Sequence, residues 1–146
     1  MAEKRPAPEL TLQFGRGVSI RPLTAARLRR LAAACAPPGW AFTLRFTTRA
    51  EARSLNTRYR DRDYTPNVLT FPYPQQQAGD IVICTAVVRE QAREQGKRYA
   101  DHLSHMVVHG LLHAQGHDHE KPGPARRMEA LERRILAGLG ITDPYA

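Results

Sequence analysis

All six histidines of this chain lie between positions 102 and 119, in the segment HLSHMVVHGLLHAQGHDH. His109 and His113 are four positions apart, which on a helix means an angle of roughly 40° and a rise of roughly 6 Å. Both imidazoles can therefore reach one ion. Gly116 allows the chain to reverse in a left-handed conformation, and His119 then returns toward the same ion. The spacing H-x3-H-x2-G-x2-H predicts a helix, a tight reversal and a metal site of His109, His113 and His119.

Three neutral imidazoles with an open fourth position are typical of a catalytic zinc site. We therefore predict one Zn²⁺ per chain, with nickel or copper as alternatives in vitro. His117 competes with His119 for the third position. His102 and His105 continue the same helical stripe. His105 either supports a ligand from one turn before His109 or is a partly buried histidine beside the site; it is not interpreted as a ligand. Asp118 either orients a ligand through its carboxylate or is a turn residue.

The ligand spacing also matches the zinc-protease signature H-E-x-x-H-x-x-G-x-x-H. In those enzymes the second residue is the glutamate that activates water. Here that residue is Gly110, which cannot transfer a proton. A metallopeptidase is therefore the weaker alternative.

The hydrophobic pattern predicts an α+β fold: a single domain over residues 1–146 with about four strands in a mixed sheet, about five helices, and the zinc site at the end of a central helix. The strands are expected near residues 10–14, 42–47, 68–71 and 81–84. The helices are expected near residues 25–36, 48–59, 85–95, 99–115 and 122–138. Pro72 and Pro74 are expected to end the third strand, and residues 75–79 to form a connecting loop.

The net charge of +8 favours a polyanionic partner, because clustered arginines attract and bind phosphate. No apolar run approaches the roughly 18–20 residues that a membrane span requires. The N-terminal residues do not resemble a signal peptide, so a cytoplasmic location is expected. Cys35 and Cys84 lie in apolar contexts and are predicted to be buried, reduced thiols.

Four segments are similar to the YbeY family. HGLLHAQGHDH resembles that family's H-G-x-L-H-L-x-G-[aromatic]-D-H, and LNTRYRDRDYTPNVLTFP, GDIVIC and MEALERRILAGLGITDPY resemble its other motifs. The resemblance runs from about Leu55 to Tyr145. Two positions depart from the pattern: Ala114 replaces a usual leucine, and His117 a usual aromatic residue.

The resemblance implies a single-domain α+β metalloprotein that is a zinc-dependent, single-strand-specific endoribonuclease. It implies a role in 16S rRNA 3′-end maturation and late-stage ribosome quality control. The implied partners are the 16S rRNA precursor and the ribosome or small-subunit proteins; neither a membrane nor DNA is expected. The family ligands correspond to His109, His113 and His119, and a family arginine important for activity corresponds to Arg60.

Arg60 is thus the candidate to stabilise charge on the cleaved phosphate. Arg58 and Arg62 flank it and either hold the RNA backbone or belong to a solvated loop. The nucleophile, water or the ribose 2′-OH, stays open, and no general base is identified. A non-catalytic ribosome-assembly factor with a structural zinc is the main alternative function.

Overall fold

The predicted series of strands and helices is present in the structure, a computed structural model that describes residues 7–117 and 120–145. The strands are β1 (Glu9–Phe14), β2 (Ala41–Thr47), β3 (Val68–Tyr73) and β4 (Ala78–Cys84). The helices are α1 (Ala25–Cys35), α2 (Arg49–Arg60), α3 (Thr85–Glu94), α4 (Tyr99–Ala114) and α5 (Pro122–Gly138). Most element ends agree closely with the sequence pattern.

The four strands form one sheet in the order β1-β2-β4-β3. β1, β2 and β4 run parallel, and β3 pairs antiparallel with β4 at the edge. Parallel neighbours need long crossover connections, which α1 supplies between β1 and β2 and α2 begins between β2 and β4. The mixed sheet with five helices confirms the predicted α+β fold.

The third strand ends directly before Pro74, as predicted, but Pro72 does not end it, because β3 continues through Pro72 to Tyr73. A proline is tolerated there because β3 is an edge strand with a neighbour on one side only. The predicted loop at residues 75–79 was also too long. A single 3-10 turn at Pro74–Gln76 and a left-handed Gln77 (φ 51°) lead directly into β4 at Ala78.

The core lies between one face of the sheet and the helices α1 and α4. α4 is the central helix: it packs against α1, α3, α5, β3 and β4, and eleven of its sixteen residues are buried. Cys35 and Cys84 are buried free thiols, as predicted, and burial raises the pKa of Cys35 to about 12. Within residues 7–117 and 120–145, none of the helices combines the length and apolar character needed to span a bilayer.

Two small residues let α4 lie close against β4. A Cβ atom on Gly110 would lie 2.6 Å from Cγ2 of Ile81. A Cβ atom on Gly79 of β4 would lie 2.7 Å from the Cβ of Ala114. Since both distances are shorter than van der Waals contact, larger side chains here would push the helix away from the sheet. The face of α4 that packs on β4, with Gly110 and Ala114, thereby sets the position of the opposite, polar face.

Candidate metal centre

Four histidines form a stripe along α4: His102, His105, His109 and His113. The centroids of successive rings lie 6.2, 6.3 and 6.4 Å apart. His102 and His105 are buried, whereas His109 and His113 are half-buried. The stripe therefore begins inside the protein and ends at the surface.

The open end of the stripe borders a cavity of about 270 Å³ between α4, β3 and the C-terminal end of α2. Its charged and aromatic lining consists of His109, His113, Arg60, Arg62, Tyr64 and Glu120. The structure thus brings Arg60 to the same cavity as His109 and His113, although about fifty positions separate them in sequence.

Contacts with β3 hold Arg60 at this cavity. Its guanidinium donates a hydrogen bond to the carbonyl of Thr70 and lies 5.3 Å from the centroid of the Phe71 ring. α2 ends at Asp61, which is left-handed (φ 54°). The buried side chain of Asn56 then donates to the carbonyl of Tyr64 over 3.1 Å. Arg60 and the loop that follows it are therefore tied to packed elements.

Glu132 of α5 is a site residue that the sequence reasoning missed. Its side chain is fully buried, with Oε1 2.7 Å from Nδ1 of His109 and Oε2 2.8 Å from Nε2 of His105. The hydroxyl of Tyr145 also donates to Oε2. One carboxylate therefore joins two histidines of α4 to the C-terminal segment.

A pattern in α5 could have revealed Glu132. At helical spacing, the apolar residues Met128, Leu131 and Ile135 predict one stripe along this helix. The structure fully buries Met128, Glu132 and Leu136, at i, i+4 and i+8, and buries Leu131 and Ile135 only partly. A carboxylate at the centre of an inward-facing stripe must have partners, because a buried unpaired charge is too costly.

The hydrogen bonds determine the ionisation of these groups. Burial raises the pKa of Glu132, but the hydrogen bonds from His105, His109 and Tyr145 outweigh it and lower that pKa to about 2. Glu132 is therefore a carboxylate. Burial and the charge of Glu132 raise the pKa of Tyr145, which keeps its hydroxyl a donor. Burial lowers the pKa of His102 to about 4, with the charges of His105 and Lys97 adding to the effect, so His102 is neutral.

Two sets of residues that share His109 could hold a metal ion. In the first set, donor atoms of His105, His109 and Glu132 lie within 4.8 Å of one another. The second is the predicted set His109, His113 and His119, of which His119 lies outside the described residues. In the first set, the two histidine nitrogens lie 2.7 and 2.8 Å from the Glu132 oxygens, which are ordinary N–H···O distances. Its donor atoms are therefore already engaged in hydrogen bonds with one another.

The same geometry suits His109 as a zinc ligand in the second set. An imidazole that gives Nδ1–H to a carboxylate has a fixed tautomer and coordinates metal through Nε2, a common arrangement around zinc. His113 lies one turn away and lines the same cavity. The imidazole donors present at the open end of the stripe therefore fit zinc.

Gly116 adopts the predicted left-handed conformation, with φ 99°. His117 follows with its N–H donating to the carbonyl of Leu112 over 3.3 Å. It lines an adjacent cavity with His113 and Glu120 rather than the one that His109 and Arg60 share. Asp118 lies, like His119, outside the described residues.

The position of Gly110 also bears on the peptidase alternative. A Cβ atom there would lie 2.6 Å from Cγ2 of Ile81, and neither residue lines the cavity. A glutamate at position 110 would therefore collide with the core. This packing leaves no room for the base of a zinc protease at that position.

Comparison with known proteins agrees with the motif resemblance. The sequence profile of the family described as Endoribonuclease YbeY matches residues 22–140. The chain is 49% identical to Endoribonuclease YbeY of Alkalilimnicola ehrlichii, over 95% of this chain and 93% of that protein. It is 47% identical to Endoribonuclease YbeY of Thiobacillus denitrificans, over 95% and 98% of the two chains.

The solution structure of TM1509 from Thermotoga maritima has a similar fold. It superposes with a TM-score of 0.57 at 21% sequence identity and covers 90% of this chain and 91% of that one. The match of the profile to most of the chain, with close relatives over nearly the whole length, settles its classification. The chain belongs to the endoribonuclease YbeY family.

Proposed function

We propose that this protein is a metal-dependent endoribonuclease that cleaves single-stranded RNA. One zinc ion is held by His109, His113 and His119, and Arg60 is the catalytic arginine. The observation that carries the proposal is the shared cavity of about 270 Å³, which Arg60, His109 and His113 line together. The family name, carried by relatives of nearly the same length, supports the reaction class.

Zinc at this position would polarise a phosphoryl oxygen and lower the pKa of a bound water. Phosphodiester cleavage places negative charge on the phosphate, and a guanidinium held in advance stabilises that charge. The backbone carbonyl of Thr70 and the Phe71 ring hold Arg60 in such a position. His109 is oriented in the same way by Glu132.

The surroundings of the cavity suit an unpaired strand of RNA. Tyr64 lines it with 52% of its surface exposed, and a free aromatic ring is a platform for an unstacked base. Arg58 and Arg62 form no ion pair within residues 7–117 and 120–145, so their guanidiniums are available to the phosphate backbone. The net charge of +8 adds a general attraction for nucleic acid.

The finer biological role is part of the same proposal. We infer that the substrate is the 16S rRNA precursor, cut near its 3′ end during maturation and late quality control. The protein works in the cytoplasm, with the ribosome or small-subunit proteins as partners. Residues 1–146 act as one domain. Basic charge and family membership support this role.

Cleavage of a labelled single-stranded RNA tests the reaction. The parent should cut it, and Arg60→Ala should not. Arg30→Ala is the matched control, since it removes the same charge from an exposed position on α1, which does not border the cavity, and should retain most activity. Equal activity of the parent and Arg60→Ala would contradict the assignment. An RNA with one 2′-deoxyribose at the cut site distinguishes the two nucleophiles, because continued cleavage excludes the 2′-OH.

A second candidate function is a non-catalytic assembly factor in which zinc is structural. The hydrogen bonds of Glu132 favour it, because they link the metal-side histidine to α5 and to the C-terminal segment. In that case the parent should bind RNA in a salt-dependent manner without cutting it. His113→Ala should then lower the melting temperature strongly, since metal affinity would contribute directly to folding.

A further inference from the structure

Glu132 has two oxygens that serve different partners. Oε1 faces Nδ1 of His109, whereas Oε2 accepts from both His105 and Tyr145. The carboxylate has no exposed surface, so water cannot replace a donor that is lost. The two donors on Oε2 therefore fix the plane of the carboxylate, and with it the direction of Oε1.

Tyr145 reaches Glu132 from a C-terminal segment that is itself anchored. Its backbone N–H donates to Oδ1 of Asp143 over 2.8 Å, and Nε of Arg133 lies 3.1 Å from the same carboxylate. The Arg133 guanidinium lies 5.0 Å from the Tyr145 ring centroid. Nζ of Lys97 donates to the carbonyl of Pro144 over 2.6 Å. The Tyr145 hydroxyl is thus held in place by a C-terminal segment, residues 143–145, that is docked on the rest of the protein.

We propose that Glu132, His105 and Tyr145 are positioning residues that hold the metal ligand His109, so that metal affinity depends on the docked C-terminal segment. The inference rests on the proposed zinc site at His109 and His113. It requires neither RNA nor turnover. A buried charge that loses one of three donors relaxes toward the remaining ones, and the imidazole attached to Oε1 then loses its fixed orientation.

Zinc affinity, measured by competition with a chromophoric chelator, tests this directly. Glu132→Gln should weaken zinc binding roughly 10- to 100-fold, the usual cost of losing the partner of a ligating histidine. Tyr145→Phe should weaken it roughly 3- to 10-fold, the range set by one ordinary hydrogen bond. Tyr73→Phe removes a hydroxyl from β3, outside this network, and should leave zinc affinity unchanged.

A second readout separates positioning from stability alone. With Co²⁺ in place of zinc, the visible spectrum reports the geometry of the ligands. Tyr145→Phe should change that spectrum, whereas a purely structural effect would lower the melting temperature and leave both the spectrum and the affinity as in the parent. An unchanged spectrum and affinity in Tyr145→Phe would overturn the proposal.

The same experiment distinguishes the two metal sets. If Glu132→Gln abolishes metal binding while His113→Ala retains it, Glu132 is a ligand with His105 and His109, and the positioning role is wrong. The proposed ribonuclease activity can fail independently. A parent that binds zinc, responds to these variants and cuts no RNA would contradict the activity and leave this inference intact.

Discussion

The two halves of the histidine stripe on α4 differ although they share a helix face and a residue type. In the N-terminal half, Nε2 of His102 lies 3.1 Å from Oε1 of Gln91 on α3, and His105 is bonded to Glu132 on α5. In the C-terminal half, His109 and His113 border a cavity together with Arg60. The side chain of His105 is 8% exposed and that of His109 is 19% exposed.

Histidines that repeat at helical spacing therefore do not all belong to the same site. α3 and α5 cover the first half and bind its imidazoles through hydrogen bonds. α5 also binds Nδ1 of His109 through Glu132, but His109 and His113 still border a cavity that a metal and a substrate could enter. Burial by neighbouring elements, rather than position on α4, separates the covered histidines from those at the cavity.

Substituting one histidine from each half of the stripe should give the strongest contrast. His113→Ala should abolish zinc binding and RNA cleavage, because it removes one of the three proposed imidazole ligands. His102→Gln should keep both, since an amide can still donate to Gln91. Zinc content after dialysis and cleavage of labelled RNA measure this. If His113→Ala retained zinc and His102→Gln lost it, the metal would bind in the buried half of the stripe, contrary to this prediction.

Arg60→Ala should lower kcat by roughly 10²- to 10³-fold, the usual cost of one group that stabilises transition-state charge. Zinc affinity should stay as in the parent, because Arg60 bonds to Thr70 and Phe71 rather than to a histidine. Single-turnover cleavage rates and chelator competition separate the two quantities. Loss of zinc in this variant would mean that the arrangement of His109 and His113 depends on Arg60.

Gly110→Ala tests whether close packing of α4 on β4 positions the histidine stripe. The new methyl group would lie 2.6 Å from Ile81, so we expect a loss of about 1–3 kcal/mol in the free energy of unfolding. Gly138→Ala is the matched control. Among the described residues, no atom outside the adjoining turns of α5 lies within 4 Å of a Cβ there, so this substitution should be neutral or stabilise by up to about 1 kcal/mol. Urea denaturation measures both, and equal stability would refute the close packing.

The smallest effect is a pH dependence from the buried half. The pKa of His102 is lowered to about 4 in the folded protein, against the model-peptide value of 6.5. The unfolded chain therefore binds a proton that the folded protein resists. The free energy of unfolding should fall as the pH drops from 6.5 toward 4, with a slope of at most about 1.4 kcal/mol per pH unit from this group.

Urea denaturation at pH 7, 6 and 5 measures that slope. His102→Gln cannot be protonated and should show a flatter dependence than the parent. An identical slope in the two proteins would mean that another group titrates in this range.

Local features of the chain were predictable from the sequence because backbone geometry alone dictates them. Helical spacing placed His109 and His113 on one face, and the left-handed preference of glycine anticipated the turn at Gly116. Thr48, directly before α2, caps that helix by accepting from the Glu51 N–H over 3.3 Å. The Glu51 carboxylate bonds Arg45 and Thr47 of β2, a tertiary contact that the local sequence does not encode.

Other features depended on elements far apart in the chain. The edge position of β3, which admits Pro72, follows from the strand order, and no local pattern specifies that order. Glu132 looks like one polar residue in an amphipathic helix until α5 packs against α4 and places it beside His105 and His109. The amino-acid sequence fixes the spacing of the histidines along one face of α4. Only tertiary packing decided which histidines are covered and which remain open, because burial depends on neighbours brought together by folding.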